Sequence, residues 1–291
     1  MALAWGRGPP AGSTRPDGCL SRRWSRSRLS KIGPSAASCG RCWGAAFAQG
    51  DLDEARAFTE AAQSDAKVLG FRLVEARALH QLGAIAAAQG NPDHATELLL
   101  KAETDYRDVG SWIDIAYCRN DLGYVRLSQG KTDEAMTLFE DAMAIARDRG
   151  DHIAIALLQV SLGDTLAAEG NITGAAELYR VSLTAAHKLA DRRMMANCLR
   201  GIASIAMADG RAAQAVRLLA AEEAWRAPNR LHIFGYTAER RAGDLDSART
   251  ALGQDAFAIS WDEGTELQPD EVVAEALAVA AELVGETSAS R

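Results

Sequence analysis

Apolar residues recur along most of this chain at steps of three and four. Leu73, Ala76, Leu79, Leu82, Gly83 and Ala86 form one stripe within residues 72–89, and Ala95, Leu98, Leu99 and Ala102 form a second within 92–109. That spacing puts each set on one face of an α-helix, so each stripe is expected to be buried. Gly90 lies between them as a stop able to take positive φ, Asn91 is suited to cap the next helix, and Pro92 fits its first position, where a missing N–H costs nothing. The pattern therefore predicts a pair of helices of roughly 18 residues, each about 27 Å long.

The pair then returns. Gly50, Gly90, Gly130, Gly170 and Gly210 are spaced by 40 residues, as are Ala55, Ala95, Ala135, Ala175 and Ala215. Leu82-Gly83, Leu122-Gly123 and Leu162-Gly163 keep the same register, with Ile202-Ala203 as a softened copy. Thr132, Asp133 and Asn171 stand near later second-helix starts, and Gly150-Asp151 marks a junction between units. A fixed period of this length is the signature of a repeat array, which grows by stacking rather than by enlarging one core. Glycine inside a helix costs about 1 kcal/mol against alanine. Its return at one register implies that a neighbouring helix packs closely there. At the start of the array Trp43 stands in the glycine register, which reads as a truncated or eroded first helix over 43–50.

These residues resemble the tetratricopeptide repeat: Leu-Gly, a glycine seven residues on, alanine five further, then an aromatic or leucine and another alanine. The central copy supplies Leu122, Gly123, Gly130, Ala135, Phe139 and Ala142, and the next supplies Leu162, Gly163, Gly170, Ala175 and Tyr179. The resemblance covers about 45–226, in a variant with longer helices than the usual 34-residue unit. It implies an all-α, right-handed superhelical array of antiparallel helix pairs.

Beyond Glu223 the period stops at Pro228 and Asn229. Helical segments are expected at about 237–252, 254–264 and 269–284, the last opened by Pro269, Asp270 and Glu271. Residues 227–285 read as a helical cap over the last apolar face. The stretch Glu239-Arg240-Arg241, Ala251-Leu252-Gly253, Phe257, Trp261, Glu263-Gly264, Glu271 and Ala276-Leu277 resembles the C-terminal end of large bacterial ATP-dependent regulators of the LuxR type, like the maltose regulator. In that family the repeats act as sensor and oligomer switch behind an ATPase.

Charge separates the first residues from the rest. Residues 1–44 carry eight Lys/Arg against Asp17 alone, +7, which leaves −14 of the total −7 on the remainder. An acidic array is a poor nucleic-acid binder. Gly, Pro, Ser and Arg dominate residues 1–42, so disorder is expected there, and also over 286–291. A basic arm touching nucleic acid, or a start codon assigned too far upstream, remain the alternatives for the first forty residues. Five cysteines at irregular spacing, with Cys118 and Cys198 on helix stripes, point to reduced thiols, and Cys39-Gly-Arg-Cys42 lacks the second pair of a zinc site. No run nears 18 apolar residues and no secretory signal is read, so a cytoplasmic location is expected.

Catalytic signatures are not read here. Gly130-Lys131-Thr132 imitates the end of a phosphate loop, but Val125 stands where the loop needs glycine, and a helix rather than a strand leads into it. His80, His94, His152, His187 and His232 are scattered, and neither a nucleophile elbow nor a DNA-reading helix pair is found. No cofactor or metal is expected.

The repeat resemblance implies that the first helix of each pair lines a groove. Register then gives Arg77, His80, Tyr117, Asn120, Tyr124, Asn197 and Arg200 as groove residues, with Arg and Tyr the types that tend to carry interface energy. Leu157, Val160 and Ala168 leave a carboxylate clamp for peptide tails incomplete. The expected function is a non-catalytic protein-interaction or sensor module, free-standing or cut from such a regulator. Its partner is a protein, a peptide or a second copy; a small-molecule receptor is the alternative, and nucleic-acid binding through the basic arm a third reading.

Overall fold

A computed structural model describes residues 36–227 and 232–289 of the 291, and every regular element among them is a helix. The first pair is α1 (Ala36–Ala48) and α2 (Leu52–Leu69). The predicted template follows as α3 (Arg72–Ala88) and α4 (Pro92–Asp108). Then come α5 (Trp112–Ser128) with α6 (Thr132–Arg149), and α7 (His152–Ala168) with α8 (Ile172–Lys188). The array closes with α9 (Arg192–Ala208) and α10 (Ala212–Arg226).

Local chemistry ends the repeat helices close to where the sequence suggested. Gly90, Gly130 and Gly170 take φ of 74°, 72° and 80° within the pairs. Between pairs, Gly70, Gly110 and Gly150 take φ of 70°, 72° and 63°, and the fourth junction places Ala190 there at φ 52°. Asn91 accepts from the His94 N–H at 3.3 Å, and Asp151 accepts from the N–H groups of Ile153 and Ala154 at 3.0 and 2.9 Å. Each satisfies a donor that the first helical turn leaves without a partner.

The glycine register explains the helix spacing. A Cβ built on Gly123 would sit 2.3 Å from Phe139, one on Gly83 2.7 Å from Leu99, and one on Gly163 2.8 Å from Tyr179. Each glycine thus receives a large side chain from the second helix of its own pair. In the first pair the sizes are exchanged: buried Trp43 holds the glycine register, and buried Thr59 holds that of Leu99, Phe139 and Tyr179. The helix expected to be eroded is therefore a volume-swapped copy. It begins at Ala36, inside the segment expected to be disordered, and Trp43 stacks on Phe47 with ring centroids 5.3 Å apart. The basic residues Arg7 to Lys31, and Cys39 as a side chain, lie outside the described residues.

Consecutive first helices (α3, α5, α7, α9) pack on one another more closely than consecutive second helices do, so the array curves with its first helices on the inner side. Beyond α10 runs α11 (Gly235–Glu266), broken at Gly253 (φ 74°, ψ 171°) into segments 235–252 and 254–266. The last helix, α12 (Pro269–Ala289), extends past the expected end at 284 and packs on α8 and α9 through Val272, Ala276, Val279, Ala280 and Leu283. Segment 235–252 lies along α10 and also reaches back to α5 and α9, across the inner face.

Candidate functional site

The inner face is built by residues that recur every 40 positions on first helices, from the middle of each helix onward. One register runs Tyr124, Asp164, Ser204, and a second, four residues earlier, runs His80, Asn120, Val160, Arg200. Because the helices stack side by side, equivalent side chains from successive pairs become neighbours. Tyr124 donates to Asp164 Oδ2 at 2.8 Å, and Ser161 donates to Asn120 Oδ1 at 2.6 Å. Tyr179, from the outer row, donates to the other oxygen of the same Asp164 at 2.6 Å. Asp164 thereby ties three helices together at a buried point.

The sequence-derived groove residues all lie on first helices, but the structure divides them. Arg77 pairs with Asp114 through two hydrogen bonds of 3.0 and 3.3 Å. His80 contacts Asp121 at 2.9 Å and the Tyr106 hydroxyl at 3.3 Å. Tyr117 packs half-buried against the core around Phe139, and burial pushes its hydroxyl up to about 12. Tyr124 and Arg200 are on the strip that the C-terminal segment crosses, and Asn120 is buried against Ser161 of the next pair. Arg200 is buried and donates to Asn197 at 3.2 Å. Most of these polar groups serve as rungs between neighbouring helices, so they fix the curvature of the face as well as its chemistry.

The strip beside Tyr124 is already covered. The backbone N–H of His232 donates to the Ala48 carbonyl at the end of α1, 2.7 Å away. Phe234 meets Phe47 with centroids 5.0 Å apart, and Tyr236 meets Tyr124 at 6.5 Å. Arg240 donates to Ser204 Oγ at 2.6 Å, to the Asp164 carbonyl at 3.2 Å and to the Tyr236 hydroxyl at 2.9 Å. Arg241 donates to Glu222 at 3.0 Å and to Glu223 at 2.8 Å, on α10. Residues 232–241 thus cross the inner face from the first pair to the last. Five residue steps join Ala227 to His232, a span of at most about 18 Å, so the curvature brings the two ends of the array close together.

Electrostatics at this crossing is dominated by desolvation. Burial pushes the Tyr124 and Tyr179 hydroxyls well above the ordinary tyrosine range, with the charge of Asp164 adding to it. Burial also raises Asp244, against the opposing pull of Ser204, Arg240 and Arg200. Among the described residues, Asp244 Oδ2 is buried with no hydrogen-bond partner.

Asp164, Ser204 and Glu222 did not stand out in the sequence, and the segment was read as part of a helical cap rather than as a cover of the inner face. The signal was present for two of them, because Asp164 and Ser204 lie 40 and 80 residues after Tyr124. Nothing local marks Tyr236 and Arg240 as partners of that register. A separate shallow cleft of about 250 Å³ beside the Gly253 break is lined by Arg249, Phe257, Ala258, Trp261 and Asp262, with the Arg249 guanidinium 4.9 Å from the Phe257 ring. Among the described residues, no group of three or more His, Cys, Asp or Glu side chains is placed to hold a metal, and no helix is long and apolar enough to cross a membrane.

Comparison with known families agrees with this geometry. The tetratricopeptide repeat model matches residues 76–148 and, overlapping it, 113–188. No curated protein matches the chain. The stretch matched holds α4 to α8 and most of α3, where the glycine register and its large partners are most regular. Residues 76–188 thus match tetratricopeptide repeats, a typically non-catalytic fold whose general use is protein–protein interaction, and the helix pairs on either side keep the same 40-residue period.

Proposed function

We propose that this chain is a non-catalytic module that binds a polypeptide partner on the inner face of its array. The carrying observation is that this face already holds a polypeptide helix, its own segment 235–252, through aromatic and arginine contacts. The partner engages the part of the face that the segment leaves uncovered, around Arg77, His80 and Tyr117. A role as the sensor part of an ATP-dependent LuxR-type regulator, acting in the cytoplasm, is supported by the resemblance of residues 239–277 to the ends of such regulators.

A photo-reactive residue in place of Tyr117 tests the interaction. The expected result is a reproducible cross-link to one polypeptide, lost when Arg77 and His80 are both replaced by alanine in a folded chain. Failure to capture any polypeptide, together with a metabolite that raises the melting temperature, would favour the small-molecule receptor. That second reading draws on one observation: among the described residues the buried Arg200 makes a single hydrogen bond, to Asn197, although its guanidinium has donors for five.

A further inference from the structure

The segment on the inner face is held differently from the rest of the fold. Within 232–244 no residue is buried, whereas beyond it Leu245 is 8% exposed and Ala248 fully buried. No side chain of 232–244 is sealed inside the core, and the attachment rests on the half-buried Phe234 and Tyr236 contacts together with Arg240 and Arg241. One polar group in the seat is left unsatisfied, Asp244 Oδ2. An orphaned buried oxygen opposes seating rather than favouring it. What lies beneath is largely polar (Tyr124, Asp164, Arg200, Ser204), and water can take over hydrogen bonds that the segment would give up on lifting. Few buried apolar side chains and replaceable polar contacts are the marks of a part that opens at lower free energy than the core.

We propose that residues 232–244 are a releasable internal plug, hinged at Leu245, and that the strip beneath accepts in its place a helix of the same chemistry. That helix carries an aromatic residue with arginines four and five positions later, as Tyr236, Arg240 and Arg241 do. Each feature has its receptor on the array. The Tyr124 ring receives the aromatic residue, Ser204 Oγ and the Asp164 carbonyl accept from the first guanidinium, and Glu222 with Glu223 accept from the second. The charge of −14 over residues 45–291 favours such a basic ligand over an acidic one. The chain is then closed at this strip until a competitor arrives, and the apparent affinity of that competitor is reduced by the fraction of time the plug is seated.

The proposal rests on the array being a polypeptide-binding module, yet the two fail separately, because cross-linking at Tyr117 probes the uncovered part of the face. The test is fluorescence anisotropy with a labelled peptide of residues 232–246, titrated into the full chain and into the full-chain variant Tyr236→Ala/Arg240→Ala/Arg241→Ala. The variant is expected to bind the peptide at least tenfold more tightly than the unaltered chain. A peptide with both arginines replaced by alanine is expected not to compete. Equal affinity for both chains, or no binding by a variant with unchanged helix content, overturns the proposal. Hydrogen exchange on the unaltered chain decides the matter if the variant does not fold. Amides of 236–244 are then expected to exchange at least tenfold faster than those of 245–250, and equal protection overturns the plug. A concentration-dependent dimer that the peptide dissociates would put the segment in a second copy and overturn the intramolecular arrangement.

Discussion

Replacing Gly123 by alanine sets two effects of known size against each other. In an exposed helix the change is favourable by about 1 kcal/mol, through helix propensity. Here the added methyl would lie 2.3 and 2.5 Å from two carbons of Phe139. Phe139 is fully buried, with Ala116, Leu127, Ala135 and Met143 in the same core and Tyr124 edge-on at 5.4 Å, so the ring has little room to withdraw. Overpacking of this kind costs typically about 1–3 kcal/mol. The overlap is deeper than ordinary contacts permit, so the upper part of that range applies, and the net loss is expected to be about 1–2 kcal/mol. The assay is denaturant unfolding of Gly123→Ala, Phe139→Leu and the double variant. At Gly83 the equivalent partner is Leu99, so a leucine at 139 recreates an existing pairing. The double variant should lose less than the sum of the single losses, because the clash is gone. A Gly123→Ala chain as stable as the original, or additive single effects, would refute the claim that glycine is required there by the ring.

Four further outcomes follow from the same geometry. Ala190→Gly should stabilise by about 1 kcal/mol in thermal or chemical unfolding, since Ala190 holds φ 52° where the other junctions use glycine; a destabilised variant would mean that the methyl packs usefully. Leu122→Ala, at a fully buried site, should cost about 2–5 kcal/mol, and a loss below about half a kcal/mol would misplace the stripe. Glu222→Ala should cost about 1–3 kcal/mol, because Glu222 is fully buried and its loss removes one acceptor from Arg241 and Arg226, which both keep Glu223. Asp244 has a folded pKa raised above its ordinary 3.8. Its contribution to seating is therefore fully present below that value and lost as pH rises through the folded pKa. Hydrogen exchange of the plug, corrected for intrinsic rate, should differ between the unaltered chain and Asp244→Asn at high pH and converge as pH falls, since the Arg240 and Arg241 contacts are common to both.

How legible each feature was in the sequence depended on whether the interaction was periodic. Gly90, Asn91 and Pro92 specify one helix junction through local backbone chemistry, and the copies repeat it, so helix ends were readable nearly to the residue. Glycine at 83, 123 and 163 likewise announced close packing, although the identity of the incoming ring had to come from the fold. Trp43 misled because volume is shared between two helices: a large residue in the glycine register reads as erosion until Thr59 is seen to be small in return. The groove candidates named by register all lie on first helices. Their mutual pairing, as in Tyr124 with Asp164, is a relation between positions 40 apart and shows only when the helices stack. The plug was least legible, since the contact of Tyr236 with Tyr124 spans more than a hundred residues and obeys no period.

The crossing of the inner face by residues 232–241 is the claim on which the rest depends. The most direct test places p-benzoylphenylalanine at position 124 of the dilute full chain, irradiates it, and maps the cross-linked peptides by mass spectrometry. An intramolecular cross-link from position 124 into 232–241 is predicted, weakened when Arg240 and Arg241 are both replaced by alanine. Cross-links confined to α5–α7, with none into 232–241, would contradict the account.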